Sequence, residues 1–223
     1  MCNISAFECN GVSGFLHQPG AASCGALALT HGAGSDCNAR LLVALAEAFC
    51  ARNWTVLRYN LAFRRNRPFG PPLPAYAAAD QTSVKNAVAE LRKLTGGTVV
   101  AAGHSYGGRQ TTMLAAEEPA LCEALIAFSY PLHPPKKPEQ LRTAHFPSLR
   151  IPVLFAQGSV DGFGTVAEMQ NAMQMIPGPA RLAVVQGAGH DLKSGKFNID
   201  GLVIRELDAM LSDHCSHPPP SAL

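Results

Sequence analysis

The segment "VVAAGHSYGGRQ", residues 99–110, is the most informative part of this sequence. An apolar run ends at Ser105, and glycines lie two residues away on each side, at positions 103 and 107. The serine follows a predicted strand and precedes a helix predicted over residues 106–117. Two interpretations compete. Ser105 either caps the helix as an ordinary polar residue, or it is a nucleophile held on a strained strand-to-helix turn.

The flanking sequence has the pattern of βα units. Short apolar runs alternate with longer stretches of helical period, as expected for a mainly parallel sheet. The runs "ISAFEC" and "VSGFLHQ" predict an antiparallel pair at the start. The all-apolar run "TVVAAG" predicts a strand near the middle of the sheet with helices on both faces. The predicted fold class is therefore α/β.

A serine nucleophile needs an imidazole base and a carboxylate that orients the base. Asp161 follows the predicted strand in "LFAQGSVDGFG", and His190 follows the next strand in "AVVQGAGHDL". The order Ser, Asp, His is the one expected for this architecture, with all three residues at the carboxyl ends of strands. Asp191 is a rival acid, but it adjoins the base. His214 and His217 are weaker rivals for the base.

The same chemistry needs two N–H donors for an oxyanion. The amide of Tyr106, at the start of the predicted helix, is one candidate. The second comes from the loop "THGAGSD", where Ala33 or Gly34 is placed to donate, and we favour Ala33. We assign Gly34 to substrate binding. Gly103 and Gly107 are expected to avoid collisions between the strand and the helix.

Other polar residues near this edge have structural and functional interpretations. We expect His104 and His31 to be structural, with His31 holding backbone by a hydrogen bond. His133 follows the strand after the nucleophile helix and is assigned to substrate binding as a residue that lines the pocket. The arginines of "FRRNRPFG" are expected on a solvated loop, and binding of an anionic group there stays an open alternative.

Composition limits the other possibilities. A length of 223 residues fits a single domain, which we predict over residues 1–212. We predict a flexible proline-rich tail over residues 213–223. The net charge of +2 favours neither nucleic acid nor a membrane as partner. Seven scattered cysteines without a C-x-x-C pair suggest neither a zinc site nor a disulfide framework. Without a leader-like or long apolar segment, the expected location is the cytoplasm.

Five separated segments, in order, resemble the α/β-hydrolase superfamily: "HGAG", "GHSYGG", "YPLHPP", "FAQGSVDGFG" and "GAGHDL". Within it, the chain is similar to the small lidless group that includes dienelactone hydrolases and the testis-expressed putative hydrolases. The resemblance spans roughly residues 10–211. It implies a sheet of about seven to eight strands, no large cap domain, and ester-type hydrolysis. Dienelactone hydrolases proper use a cysteine nucleophile, so their lactone substrate is not carried over to Ser105.

The expected function is a serine hydrolase of carboxylic esters. Ser105 attacks the ester carbonyl, His190 transfers the proton, Asp161 orients the imidazole, and the amides of Ala33 and Tyr106 bind the oxyanion. This chemistry needs no metal or organic cofactor, and the expected partner is a small-molecule ester with a short or medium acyl chain. Two alternatives stay open: a peptidase or amidase of the same fold, and a catalytically silent scaffold.

Overall fold

Eight strands form a single sheet in the part of the chain that the computed structural model describes, residues 2–193 and 196–216. The strands are β1 (Asn3–Cys9), β2 (Val12–Gln18), β3 (Gly25–Thr30), β4 (Trp54–Tyr59), β5 (Val99–His104), β6 (Ala124–Phe128), β7 (Val153–Gly158) and β8 (Ala180–Val185). Their order across the sheet is β1-β2-β4-β3-β5-β6-β7-β8. The pairs β1–β2 and β2–β4 are antiparallel, and the other pairs are parallel. The predicted α/β fold, the antiparallel start and the central position of β5 are confirmed.

Helices cover both faces of this sheet, as the apolar character of β5 predicts. Within the described residues the α-helices are α1 (Arg40–Cys50), α2 (Ala62–Asn66), α3 (Ala77–Thr95), α4 (Tyr106–Glu117), α5 (Val166–Met173) and α6 (Ile199–Ser216). None of the helices in these residues is long and apolar enough to cross a lipid bilayer.

The hydrophobic core lies in two layers, one on each face of the sheet. Leu45 and Phe49 of α1 pack with Leu207 of α6 on one face. Val84 of α3 and Leu114 of α4 pack on the other face. Burying a side chain of this size contributes about 1.5–3 kcal/mol, so both layers hold the strands rigidly. That rigidity fixes the loops at the carboxyl ends of the strands.

The parallel strands bring four loops to one edge of the sheet. Strands β3, β5, β7 and β8 run in the same direction, so the segments that follow them meet at the carboxyl edge. Those segments are residues 31–39, the turn at Ser105, residues 159–165 and residues 186–191. All the residues that the sequence predicts for the oxyanion donors, nucleophile, acid and base therefore lie at this edge.

Two segments differ from the sequence prediction. The "FRRNRPFG" segment begins with the short helix α2 instead of an open loop, because Ala62, Phe63 and Arg64 are buried. The closing helix α6 continues to Ser216, four residues past the predicted end at 212. The rest of the predicted tail, residues 217–223, lies outside the described residues, as does His217.

The cysteines also differ from the prediction. Cys2 and Cys50 form a disulfide, with 6.1 Å between their Cα atoms. The pattern of spacings missed this pair because 48 residues separate the two positions along the chain. The bond joins the residue before β1 to the last residue of α1. Cys9, Cys24, Cys37 and Cys122 are free thiols.

Candidate active site

Ser105 lies on a strained turn between β5 and α4. Its φ of 50° and ψ of −113° are unusual for a residue with a side chain. The turn is tight: a Cβ on Gly103 would lie 2.4 Å from the carbonyl carbon of Gly107, and one on Gly107 would lie 2.5 Å from the carbonyl oxygen of His31. The expected need for glycine at both positions is confirmed. Such a turn presents the serine hydroxyl above the sheet edge.

The structure brings Ser105, His190 and Asp161 into one hydrogen-bonded chain. Nε2 of His190 lies 2.8 Å from Oγ of Ser105. Nδ1 of the same ring lies 2.9 Å from Oδ2 and 3.0 Å from Oδ1 of Asp161. With Nδ1–H donating to the carboxylate, Nε2 is free to accept the hydroxyl proton. The rival acid Asp191 is exposed. Among the described residues, it makes no hydrogen bond to the His190 ring.

Neighbouring groups fix both members of the imidazole–carboxylate pair. Asp161 is 3% exposed and accepts hydrogen bonds from Nε2 of Gln157 (3.0 Å) and from the amide of Phe163 (2.8 Å). The ring of Phe163 stacks on the His190 ring at 4.0 Å between centroids and 26° between planes. Nε2 of His104 donates to the carbonyl oxygen of His190 at 2.9 Å. The expectation that His104 is structural therefore agrees with its position. The stacking by Phe163 was not foreseen.

The two predicted oxyanion donors lie next to the serine. A Cβ built on Gly32 would lie 3.4 Å from the Cβ of Ser105, so the loop holding Ala33 passes directly beside the nucleophile. The amide of Tyr106 is the first of α4 and lacks an intrahelical acceptor. Among the described residues, neither the Ala33 amide nor the Tyr106 amide donates to a protein acceptor. Both are therefore available to a bound oxygen.

His31 holds the start of this loop, as expected. Its Nδ1 donates to the carbonyl oxygen of Gly32 at 2.9 Å, and its Nε2 accepts from the amide of Leu61 at 3.1 Å. Burial lowers the pKa of His31 to about 4, so the ring is neutral at physiological pH. A neutral ring can donate at one nitrogen and accept at the other, as both contacts require.

Arg64 contradicts the prediction that the arginines of "FRRNRPFG" lie on a solvated loop. It is 9% exposed, and its guanidinium donates to five main-chain carbonyls. Two belong to the oxyanion loop: Ala33 at 2.7 Å and Ser35 at 2.9 Å. The others belong to the following segment, residues 67–70, at distances from 2.7 to 3.2 Å. Arg64 thus joins the oxyanion loop to the segment after α2. No local sequence signal distinguishes Arg64 from Arg65, which is exposed, or from Arg67, which is half-buried.

A buried carboxylate positions the side chain of Tyr106. The Tyr106 hydroxyl donates a hydrogen bond to Oδ2 of Asp80 at 2.7 Å. Oδ1 of Asp80 accepts a hydrogen bond from the amide of Phe63 at 2.9 Å. Burial raises the pKa of Asp80. The Phe63 and Tyr106 rings also meet edge to face, with 5.6 Å between centroids. The first turn of α4 is therefore anchored to α3, an arrangement that the sequence analysis missed.

A cavity of about 990 Å³ opens over Ser105 and His190. Gly34 lines it, as predicted, beside mainly apolar residues such as Leu73 and Met113. His133 is not among the lining residues, which corrects its assignment to substrate binding. Its ring is buried, with Nδ1 donating to the carbonyl oxygen of Pro134 and Nε2 lying 3.4 Å from Oε2 of Glu168. The loop after β6 turns it away from the cavity.

No cluster of three or more His, Cys, Asp or Glu residues within the described ranges is arranged to hold a metal ion.

A family model for the "Alpha/beta hydrolase domain" matches residues 23–205. The chain belongs to this alpha/beta hydrolase family. Solved structures that include a dienelactone hydrolase share its fold.

Solved structures of similar fold come from several bacteria. TT1662 from Thermus thermophilus has a TM-score of 0.74 at 19% identity, over 95% of this chain and 98% of that one. The dienelactone hydrolase from Anabaena variabilis has a TM-score of 0.68 at 17% identity, over 97% and 98%. Est1E from Butyrivibrio proteoclasticus, bound to ferulic acid, has a TM-score of 0.71 at 16% identity, over 96% and 100%. At these identities the likeness establishes the fold.

Among curated proteins, 48 residues of this hydrolase are 48% identical to the polyketide synthase ThaQ of Burkholderia thailandensis. The match covers 22% of this chain and spans only 2% of the length of that synthase.

Proposed function

We propose that this protein is a serine hydrolase of carboxylic esters. The proposal rests on the hydrogen-bonded chain from Ser105 through His190 to Asp161, in which each contact is 3.0 Å or shorter. Family membership supports hydrolytic chemistry, and the open cavity above Ser105 gives an ester access to the hydroxyl.

The geometry supports an acyl-enzyme reaction. His190 takes the proton of Ser105 as Oγ attacks the ester carbonyl, and Asp161 stabilises the imidazolium that forms. The carbonyl oxygen becomes an oxyanion that accepts from the amides of Ala33 and Tyr106. The imidazolium then gives its proton to the leaving alcohol, which leaves an acyl group on Oγ. Water, activated by the same ring, releases the acid and restores the serine.

The cavity supports a preference for short or medium acyl chains. Leu73 and Met113 give it an apolar lining, and no large cap extends it within residues 2–193 and 196–216. A series of para-nitrophenyl esters from acetate to palmitate measures this preference. We expect kcat/KM to peak between butyrate and octanoate. Highest turnover on palmitate would contradict the proposal.

The test of the ester reaction is a panel of para-nitrophenyl esters assayed in parallel on the wild type and Ser105→Ala. The wild type should hydrolyse the esters, and Ser105→Ala should lose at least about 1,000-fold in kcat. The matching para-nitroanilides distinguish an amidase, because an amide must lose a poorer leaving group. Faster turnover of the anilides would favour the amidase alternative.

A cytoplasmic location is also a prediction, and the Cys2–Cys50 disulfide gives it a direct test. Cytosolic proteins rarely keep a structural disulfide. Thiols of intact cells are blocked with N-ethylmaleimide before lysis, and the protein is then analysed by mass spectrometry. Alkylated Cys2 and Cys50 would support the cytoplasm, and a disulfide-linked peptide pair would contradict it.

A further inference from the structure

Two arginines line the same cavity as the candidate nucleophile. Arg109 lies one turn along α4 from Ser105, whose carbonyl oxygen accepts its amide at 3.0 Å. Helical side chains lean towards the N-terminus, so Arg109 leans towards the serine end of the cavity. Arg142 comes from the segment after β6, where its amide donates to the carbonyl oxygen of Leu132 at 2.8 Å.

Neither guanidinium has an acidic partner in the described part of the chain. Arg109 and Arg142 form no ion pair there, and Asp191, the acidic residue that lines the cavity, is exposed and pairs with neither. The side-chain nitrogen Nε of Arg109 is buried and has no hydrogen-bond acceptor among the residues that the structure describes. A buried donor without a partner destabilises the fold, and a ligand that accepts from it relieves that cost. The cavity wall therefore holds positive charge that the protein itself does not neutralise.

The two charges also oppose each other. Burial lowers the pKa of Arg142, and the charge of Arg109 lowers it further. Burial and the same charge lower the pKa of His145 to about 4. Burial raises the pKa of Tyr130, so its hydroxyl, which donates to the carbonyl oxygen of Arg142 at 2.6 Å, stays neutral at physiological pH. An anion between the guanidiniums would relieve this repulsion.

A second unpaired group faces the same cavity. Gln110 lines it and is 1% exposed, and its buried Oε1 has no hydrogen-bond donor in the described part of the chain. Because its amide group carries both N–H donors and an oxygen acceptor, it can complement a ligand beside the arginines. The remaining lining is largely apolar, with Leu73 and Met113 among its members. The cavity thus combines a largely apolar lining with two cationic side chains and an unpaired amide oxygen.

We propose that Arg109 and Arg142 form an anion subsite that binds a carboxylate carried by the substrate ester. Guanidinium forks match a carboxylate with two parallel hydrogen bonds. The substrate class is an ester whose apolar body also bears a free carboxylate. This inference rests on the proposed function, because it describes a substrate of the same site.

Two matched substrate pairs test the subsite. Mono-para-nitrophenyl adipate and its methyl ester differ in a carboxylate on the acyl part. Para-acetoxybenzoate and its methyl ester differ in a carboxylate on the alcohol part. For at least one pair we expect Arg109→Gln and Arg142→Gln each to lower the ratio of kcat/KM, charged over neutral, by about 10- to 100-fold. The loss should appear mainly in KM, with the neutral ester changed little.

Control variants separate charge from packing. Arg150→Gln removes an exposed arginine that does not line the cavity, and it should leave both ratios unchanged. Arg142→Lys keeps the positive charge and should keep part of the preference. Ratios unchanged in both glutamine variants, or equal losses for charged and neutral esters, would overturn the subsite while leaving ester hydrolysis intact.

A binding measurement separates the two proposals. Monomethyl and dimethyl adipate are titrated into Ser105→Ala by calorimetry. Tighter binding of the monomethyl ester that is lost with Arg142→Gln supports the subsite even if the wild type hydrolyses no ester. Hexanoate and hexyl phosphate are titrated in the same way. The carboxylate assignment would be overturned by equal binding of the two adipate esters, by absence of binding, or by tighter binding of hexyl phosphate than of hexanoate.

Discussion

Replacing Arg64 with methionine should impair catalysis without touching any reacting group. Methionine keeps an unbranched apolar side chain and removes the guanidinium. The five hydrogen bonds to main-chain carbonyls are lost, including those to Ala33 and Ser35 in the oxyanion loop. The link between that loop and residues 67–70 then disappears.

The structure sets the size of the two expected effects. A hydrogen bond from a charged donor contributes about 1.5–3 kcal/mol, but carbonyls near the cavity regain water, so we expect a loss of about 2–4 kcal/mol in the free energy of unfolding. Release of the loop that holds the Ala33 amide removes up to one oxyanion donor. Loss of one such donor costs about 100- to 1,000-fold in kcat, with a smaller change in KM.

The assay compares kcat and KM on para-nitrophenyl butyrate with urea unfolding of the same samples. Arg65→Met is the matched control, because Arg65 carries the same charge, is exposed and makes no such bonds. Arg64→Lys should fall between Arg64→Met and the wild type, since one ammonium cannot span the five carbonyls. Wild-type kcat in Arg64→Met, or an equal loss in Arg65→Met, would refute the positioning role.

Three further changes have defined outcomes. Asp161→Asn should lower kcat on para-nitrophenyl butyrate by about 1,000- to 10,000-fold, because the amide cannot hold the His190 tautomer; a loss below tenfold would count against the carboxylate. Gly32→Ala places a Cβ 2.9 Å from Nδ1 of His104 and should lower kcat, whereas Gly97→Ala, which meets only an ordinary contact, should not; equal activities would contradict the close approach. Burial lowers the pKa of His31 to about 4 in the fold from 6.5, the ordinary value of a histidine, so the unfolded chain binds more protons between these pH values. Stability should therefore fall as the pH drops through this window, by about 2 kcal/mol from pH 7 to pH 5 for this residue. Urea unfolding of His31→Gln should show a shallower pH dependence, and identical slopes would contradict it.

The parts of the site that were predicted from sequence are those with local signals. Ser105, Asp161 and His190 each follow their own apolar strand, and parallel strands end at one edge, so three local patterns were enough to bring distant residues together. The oxyanion loop was found in the same way, because its glycines follow β3 directly.

The missed features depend on contacts between distant segments. Arg64 resembles its neighbours in sequence, and only the fold places carbonyls of two separate segments around it. His133 follows the expected strand, but its loop directs the ring towards Glu168 on α5. The bond between Cys2 and Cys50 depends on how β1 meets α1. None of these arrangements has a periodicity or a motif that a single sequence could reveal.

Covalent labelling by a fluorophosphonate is the sharpest test of whether His190 activates Ser105 as a nucleophile. The probe reacts with a serine only when a base activates it and an oxyanion site stabilises the adduct. We expect one adduct, located at Ser105 by peptide mass spectrometry and abolished in both Ser105→Ala and His190→Ala. A folded wild type that stays unlabelled, as a catalytically silent scaffold would, or an adduct on another serine, would contradict it.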